Sequence, residues 1–478
     1  MKKLILIFAL LPFILLSCTP AEAPVETTAE ETTLAPETTE AIPEELSISI
    51  AGVDISEYTI IHNGSKAASE AARELRLLIL DAVGCQLSVK SHTTKESEHE
   101  ILVGKTNRAE STEVRGAYSR PNVYFDVVVV GKKLVVMGEG RATIKKLTEE
   151  LTAYFETLPT APITLEGSLI SGNILEDIDT NGISMAERAE GTDLRVFHWN
   201  MAAPYLDPNV TTPPVVYTDN VTRGEDIADM ILQFLPDIIT TNEFYASHNG
   251  NTVFFDAVMN ELSEYYVCLD SPYDKGKPEA GADAIKGKTI NSNIIYRKDI
   301  GLEVISSAWR YSTQKTSTSS NNPMGYIYYH GSHTALFSYN GQKFILSTAH
   351  YADSRTSNQW AREQLAAVAD FRAAHGSDLP IILTGDMYTS YSSGSSSGYN
   401  YIASQGYLDA QRKAAVNANK NTSYGTFHKI GERQSNRISE DFVWYTSEMQ
   451  ALAFKVLANK ISDDASDHYP VMADLKFN

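Results

Sequence analysis

Three things are scarce in this chain of 478 residues. Cysteine occurs only at positions 18, 85 and 268, too few to staple a chain of this length, which excludes a disulfide-built scaffold. Basic charge is short. Forty Lys and Arg face sixty Asp and Glu, a formal charge of −20, so the global field repels phosphate and a polybasic nucleic-acid sink is excluded. Long apolar runs are limited to one at the N-terminus, which excludes a polytopic membrane protein. Hydrophobic residues are plentiful at 43%, enough for a large core, and a length worth roughly 100–200 residues per domain allows about two to four domains.

Residues 1–18 read MKKLILIFALLPFILLSC: Lys2 and Lys3, an apolar stretch from Leu4 to Leu16, then Ser17-Cys18. The run is short for a membrane span of ~20 residues. It resembles a bacterial lipoprotein signal peptide with Cys18 as the lipidated first residue of the mature chain, which implies attachment to the membrane at the bacterial cell surface. Residues 19–46 follow as a Thr/Glu/Pro tether that cannot bury a core. The two lysines and the tether's eight Glu leave −14 of the −20 in residues 46–478. Cys85 and Cys268 fall in different expected domains and read as small buried hydrophobes.

A first folded domain is expected over 47–175. Residues 57–61 read as a strand, and Ala68, Ala71, Ala72, Leu75, Leu78, Ile79 and Ala82 repeat at helical spacing over 65–83 before Gly84 stops them. Residues 100–104 form a second strand, 124–140 a hairpin turning near Gly131, and Ile144, Leu147, Leu151, Tyr154 and Phe155 mark a second helix. This is a small α/β unit. Gly138-Glu139-Gly140 lacks the third glycine of a phosphate loop and puts an acidic residue where phosphate would approach. The unit resembles accessory domains beside bacterial glycoside hydrolases, which implies either a spacer or a glycan contact. Residues 171–192 read as a polar connection.

The second domain, 193–478, carries the chemistry. LRVFHWN (194–200) is a strand ending in Asn200, and Arg223 to Leu235 is an amphipathic helix. DIITTNE (237–243) is a strand ending in Glu243, and residues 291–299 form another. Residues 333–350 are a hairpin around Asn340-Gly341, whose second strand ends at His350. A helix follows over 358–375, then LPIILTGD (379–386) ends in Asp386, and DFVWY (441–445) starts at Asp441. Strand after strand ends in a polar residue. With Asp467-His468 near the C-terminus, these ends can converge at one edge of a sheet core.

The ordered motifs WN (199–200), PDIITTNE (236–243), NSNIIYRKD (291–299), STAHYAD (347–353), TGDM (384–387), RISEDFVW (437–444) and SDHYPV (466–471) resemble the endonuclease/exonuclease/phosphatase family, the deoxyribonuclease-I-like phosphoesterases. The resemblance covers most of 194–477. It implies an α+β fold, a four-layer α/β sandwich, here preceded by the small α/β domain. It implies that Glu243, with Asn200 beside it and Asp467 as a further acidic position, holds Mg²⁺, a hard cation suited to oxygen donors, with Mn²⁺ or Ca²⁺ as substitutes. His468 would face the scissile phosphate with Asp441 as its partner carboxylate, Asp386 would orient or deprotonate the attacking water, and His350 would be the second histidine. Asn293 and Tyr388 would contact substrate.

The implied activity is metal-dependent hydrolysis of a phosphate ester in nucleic acid, a lipid headgroup or a small phosphate, an extracellular nuclease first, by a monomer. A metal and a cationic His neutralise charge growing on the phosphorane, and a carboxylate activates water. Three positions depart from the family pattern. Tyr388 stands where Gly-Asp-x-Asn ends in asparagine, Asn242 stands where Gln often precedes the glutamate, and two residues separate Ile438 from Asp441. Tyr388 sets the competing reading, a non-catalytic binding lipoprotein that retains the fold. The loop 388–401 reads either as a surface segment or as tyrosines that stack on a sugar or base.

Overall fold

The structure is a computed structural model. It describes residues 46–175, 186–202, 217, 219–244, 252–269, 292–316, 328–351, 357–376, 378–389, 397–417, 425–428, 430 and 439–478. The signal segment with Cys18, nearly all of the tether, residues 390–396 of the tyrosine-rich loop and Arg437-Ile438 lie outside the described residues. Residues 45–478 form one compact unit.

Residues 46–175 build a three-stranded edge sheet and a larger mixed sheet. The edge sheet joins β1 (Ile48–Ile50), β2 (Val53–Asp54) and β8 (Ile163–Leu165). The larger sheet has the order β4-β3-β5-β7-β6-β9, from β3 (Thr59–His62), β4 (Ser88–Ser91), β5 (Glu100–Val103), β6 (Tyr124–Val130), β7 (Lys133–Met137) and β9 (Ser168–Asn173). Helix α1 (Lys66–Val83) starts where the Ser65 hydroxyl accepts from the Ala68 N–H and ends at Gly84 in the left-handed region, as the apolar spacing and the glycine predict. α2 is Ala109–Gly116 and α3 is Arg141–Glu156. The predicted hairpin is β6–β7, with Gly131 at φ 60°.

From residue 194 the chain forms two further sheets. One has the order β12-β13-β11-β10-β22-β21-β19, from β10 (Leu194–Asn200), β11 (Ile238–Asn242), β12 (Tyr266–Cys268), β13 (Asn293–Arg297), β19 (Val416–Asn417), β21 (Met449–Val456) and β22 (Val471–Phe477). The other has the order β14-β15-β16-β17-β20-β18, from β14 (Leu302–Thr316), β15 (Tyr328–Tyr339), β16 (Gln342–Ala349), β17 (Ile381–Asp386), β18 (Leu408–Asp409) and β20 (Asp441–Tyr445). Between them lies a core of Leu194, Val196, Ile238, Ile294, Phe337, Leu346, Ile382, Val443 and Val471. Helices cover the outer faces. α4 (Asn220–Phe234) and α5 (Val253–Leu262) pack on the first sheet through Ile227, Ile231, Phe254 and Val258. α6 (Ser357–His375) packs on the second through Trp360, Leu365 and Val368. Helix, sheet, sheet, helix is the four-layer α+β sandwich that the motif order predicts.

Two differences from expectation have physical causes. β14 is a 15-residue strand that period-two reading did not mark, and it pairs with β15 along its length. α4 is not a one-sided helix, because Asp226, Asp229 and Gln233 are buried as well as its apolar stripe. The region 46–175 covers its second face. Asn122 donates to Asp229 (3.0 Å), the N-terminal N–H of Ala142 in α3 donates to the same carboxylate (3.1 Å), and Arg120 donates to the Gln233 carbonyl. A Cβ on Gly140, which sits at φ 76°, would come within 1.8 Å of Asp229 Oδ1. Gly138-Glu139-Gly140 thus leads to a helix N-terminus whose anion is the protein's own Asp229.

Candidate active site

Period-two alternation grades the space between the two sheets. Along β10 the inward residues run Leu194, Val196, His198, Asn200. Along β17 they run Ile382, Thr384, Asp386, and along β16 Leu346, Thr348, His350. The first members belong to the apolar core, the next are buried and polar, and the last form the site. Register completes the set. Asn200 lies beside Asn242 on parallel strands, and Asp386 lies opposite Asp441 on antiparallel ones. The Asp386 N–H donates to Asn242 Oδ1 (2.8 Å), which ties the two sheets together at this edge. Asn242, the departure that precedes Glu243, therefore has a structural task.

The strand ends turn sharply. Among the described residues, three of the six non-glycine residues at positive φ lie within two residues of the end of a site strand: Ala202 (φ 42°), Glu243 (φ 55°) and Tyr388 (φ 44°). Each costs of order 1–2 kcal/mol against ordinary backbone, a strain that the surrounding hydrogen bonds hold. Arg223 of α4 is one of the holders. Buried and stacked over Phe254, it donates to the carbonyls of Met201, Ala202 and Ala465, which flank Asn200 and Asp467-His468. The Ser466 hydroxyl donates to the Asn200 carbonyl (2.6 Å) and accepts the His468 N–H (3.1 Å).

Asp386 is the hub. Its Oδ2 lies 3.0 Å from Asn200 Nδ2, 3.3 Å from His350 Nε2 and 3.7 Å from His468 Nε2, and its Oδ1 accepts the Tyr388 N–H at 3.3 Å. Asp441 Oδ2 accepts from His468 Nδ1 at 2.8 Å. Burial alone would raise the Asp441 carboxyl, but His468, with His198 behind it, outweighs burial and holds it well below the usual carboxylate range. Burial likewise disfavours the His468 imidazolium, yet Asp441 and Asp386 raise it well above the usual histidine value. The same contest, won by Asp386 and Glu243, raises His350.

The structure therefore brings together Asn200, Glu243, His350, Asp386, Asp441 and His468, with Glu243 Oε1 4.0 Å from His350 Nε2 and 3.5 Å from Asn200 Nδ2. Asp467 is half-buried beside His468, and its charge is felt by His468, Arg223 and Tyr388. Asn293 is not in the set. It pairs with Thr241 on the opposite face of the sheet from Asn242 and donates to the Phe244 carbonyl, bracing the chain after Glu243. Tyr388 is half-buried beside the site. Its ring stacks on His350 (centroids 5.7 Å, 14° between planes), and burial followed by the charges of Asp386, Glu243, Glu440 and Asp467 raises its hydroxyl pKa.

Residues that sequence reasoning missed complete the picture. His198, on the inner face one step below Asn200, lies 3.4 Å from Asp441. Thr426 accepts the N–H groups of Glu440 (2.8 Å) and Asp441 (3.1 Å). Phe427 is partly exposed and meets the His468 ring edge-on at 5.2 Å. Burial, then Asp386, pushes the Glu440 carboxyl up to about 7. Inward parity would have found His198, whereas Thr426 and Phe427 lie beyond any strand that sequence alone marks.

Two donor sets could hold a cation. Asp386, Asp441 and His468 offer atoms within 4.8 Å of one another, but His468 is bonded to Asp441 and its raised basicity keeps it protonated, which leaves a poor ligand. The Glu243 and Asp467 carboxylates and the Asn200 amide oxygen are hard oxygen donors, with Asn200 3.5 Å from Glu243. That set fits Mg²⁺.

No family model matches the chain, and no curated protein matches it. Solved structures similar to it include an endonuclease/exonuclease/phosphatase from Bacteroides vulgatus (20% identity, TM-score 0.44, covering 60% of this chain and 99% of that one). A mannosyl-6-phosphatase from Bacteroides thetaiotaomicron is also similar (18%, TM-score 0.43, 59% and 100%). So is the human Nocturnin catalytic domain with bound sulfate (17%, TM-score 0.42, 61% and 97%).

Proposed function

We propose that this protein is a divalent-cation-dependent phosphoesterase, with nucleic-acid phosphodiesters as its first substrate class, tethered to the bacterial surface through lipid on Cys18. One observation carries the catalytic reading. A buried Asp441–His468 ion pair and His350 flank a single carboxylate, Asp386, at a strained strand edge. That arrangement supplies, within a few ångströms, a cation for an anionic ester and an oxygen base for water.

In this reading His468, kept protonated by Asp441, faces the phosphate and offsets the charge that grows on it. Asp386 Oδ2, oriented by Asn200 and His350, accepts the proton of the attacking water. Glu243, Asp467 and the Asn200 amide oxygen would hold Mg²⁺, with Mn²⁺ or Ca²⁺ as substitutes, and the ion when bound supplies Lewis-acid polarisation of the phosphoryl group. The positive field is local, which reconciles a chain of −20 formal charge with an anionic substrate. Lipid attachment rests on the Lys2-Lys3, apolar and Ser17-Cys18 sequence alone.

Hydrolysis of bis(p-nitrophenyl) phosphate and of plasmid DNA, each with Mg²⁺ or with EDTA, tests the reading. EDTA-sensitive turnover is expected, with Asp386→Ala and His468→Ala each abolishing most of it. No turnover on a broad phosphoester panel would sink the enzyme and leave a binding protein.

A further inference from the structure

The Asp441 carboxylate has a second oxygen, and the catalytic reading leaves it unused. Oδ1 of Asp441 faces Nε2 of His198 at 3.4 Å. Both residues are sealed from solvent, at 1% and 0% exposure, and neither atom has another hydrogen-bond partner among the described residues. A separation of 3.4 Å is long for an N–H···O bond. Leaving two buried polar atoms unpaired costs about 1–3 kcal/mol each, however, so each is the other's natural partner across a closing shift of a few tenths of an ångström.

The two sides of the ring together set its proton. Nδ1 of His198 lies 3.0 Å from the Thr240 hydroxyl, whose alternative acceptor, the Phe197 carbonyl, is farther at 3.4 Å. An ionised carboxylate can only accept, so satisfying Asp441 Oδ1 puts the ring proton on Nε2, which leaves Nδ1 to accept from the Thr240 hydroxyl, the nearer of that hydroxyl's two partners.

We propose that His198 is a positioning residue, the second donor to Asp441, and that Thr240, His198, Asp441 and His468 form one hydrogen-bonded chain fixing the plane of the carboxylate and hence the His468 ring. The proposal rests on the phosphoesterase reading of this site. His198 does not enter the cleft. It acts through Asp441, as outer partners of active groups do elsewhere. Its place in β10, between core Val196 and Asn200 of the site, is where such a support has to stand.

His198→Phe fills the space without a donor, whereas His198→Gln keeps an N–H at the reach of Nε2. Two measurements read the result. One is kcat and KM on bis(p-nitrophenyl) phosphate with Mg²⁺. The other is the far-downfield ring N–H proton resonance of His468, assigned by its loss in His468→Gln. In His198→Phe, kcat should fall on the order of 10–100-fold while KM barely moves, and the resonance should shift or broaden. His198→Gln should restore most of both.

An unmoved kcat and resonance in His198→Phe overturn the proposal, as does equal damage in Phe and Gln, which would mean simple space-filling. Wild-type protein with no turnover but a resonance that responds sinks the phosphoesterase reading and leaves the hydrogen-bonded chain standing. Should His198→Phe not fold, Thr240→Val frees Nδ1 to take the ring proton and must shift the same resonance. If it does not, the proposal falls.

Discussion

Asp229 and Asp441 are both aspartates sealed from water, at 2% and 1% exposure, and they titrate in opposite directions. Asp229 sits between the region 46–175 and the sandwich with only amides for company, the Asn122 side chain and the Ala142 N–H. Burial prevails there and pushes it up to about 7. Asp441 sits in the site between two imidazoles, and its pKa is held well below the usual range. Equal burial with unequal partners teaches that dipoles satisfy a buried carboxylate without neutralising it, whereas a group able to carry full charge does both.

The contrast can be broken in order of size. Asp441→Asn removes the charge that holds His468 protonated, and kcat should fall on the order of 10²–10⁴-fold with the fold intact by circular dichroism. A loss of less than threefold would deny the pair its role. At the other carboxylate, Gly140→Ala should destabilise by roughly 2–4 kcal/mol, because the new Cβ strikes Asp229 and the backbone is left-handed. Urea denaturation measures it, and turnover per folded molecule should not change.

Asp229→Asn sharpens the comparison through pH. A carboxyl raised from 3.8 to about 7 keeps a proton in the folded state that the unfolded chain releases. Its contribution to stability therefore declines as pH rises from about 4 to about 7, by roughly 4 kcal/mol for the full shift, and is constant above that. The Asn variant should show a flatter melting temperature across pH 4–8. Asp441 has the opposite sign. Its contribution is present above the usual carboxylate range and is lost only as pH falls below it. Smallest of all, Lys66→Ala removes an ion pair to Asp219 at 3.8 Å that is nearly half exposed on both sides. The change should stay below about 1 kcal/mol in thermal melts.

Much of the site was legible because strand termini carry a double signal, an apolar run bounded by a polar residue: Asn200, Glu243, His350 and Asp386 follow such a run and Asp441 precedes one. Asn293 obeyed it only in appearance, since one residue of parity separates the cleft face from the opposite face. Tyr388 was legible as a departure but not as a half-buried ring stacked on His350, because its left-handed backbone breaks the alternation that would have pointed it. Asp229 was invisible for another reason. Its partners lie far away in sequence, and on a helix wheel it passes for a solvent-facing charge.

Asp229 also bears on how this chain can be cut and inherited. A carboxylate of the sandwich caps a helix of the smaller region, and Gly140 leaves room for nothing else there. A sandwich expressed from residue 193 would lay bare Asp226, Asp229 and Gln233 on α4. A free copy of residues 46–175 would lose the anion at the start of α3. The smaller region is therefore less an arm that can be swapped than a rind grown onto one side of the sandwich. The two regions have to vary together, with Asn122, Gly140 and Asp229 as the positions where a change in one must be answered in the other.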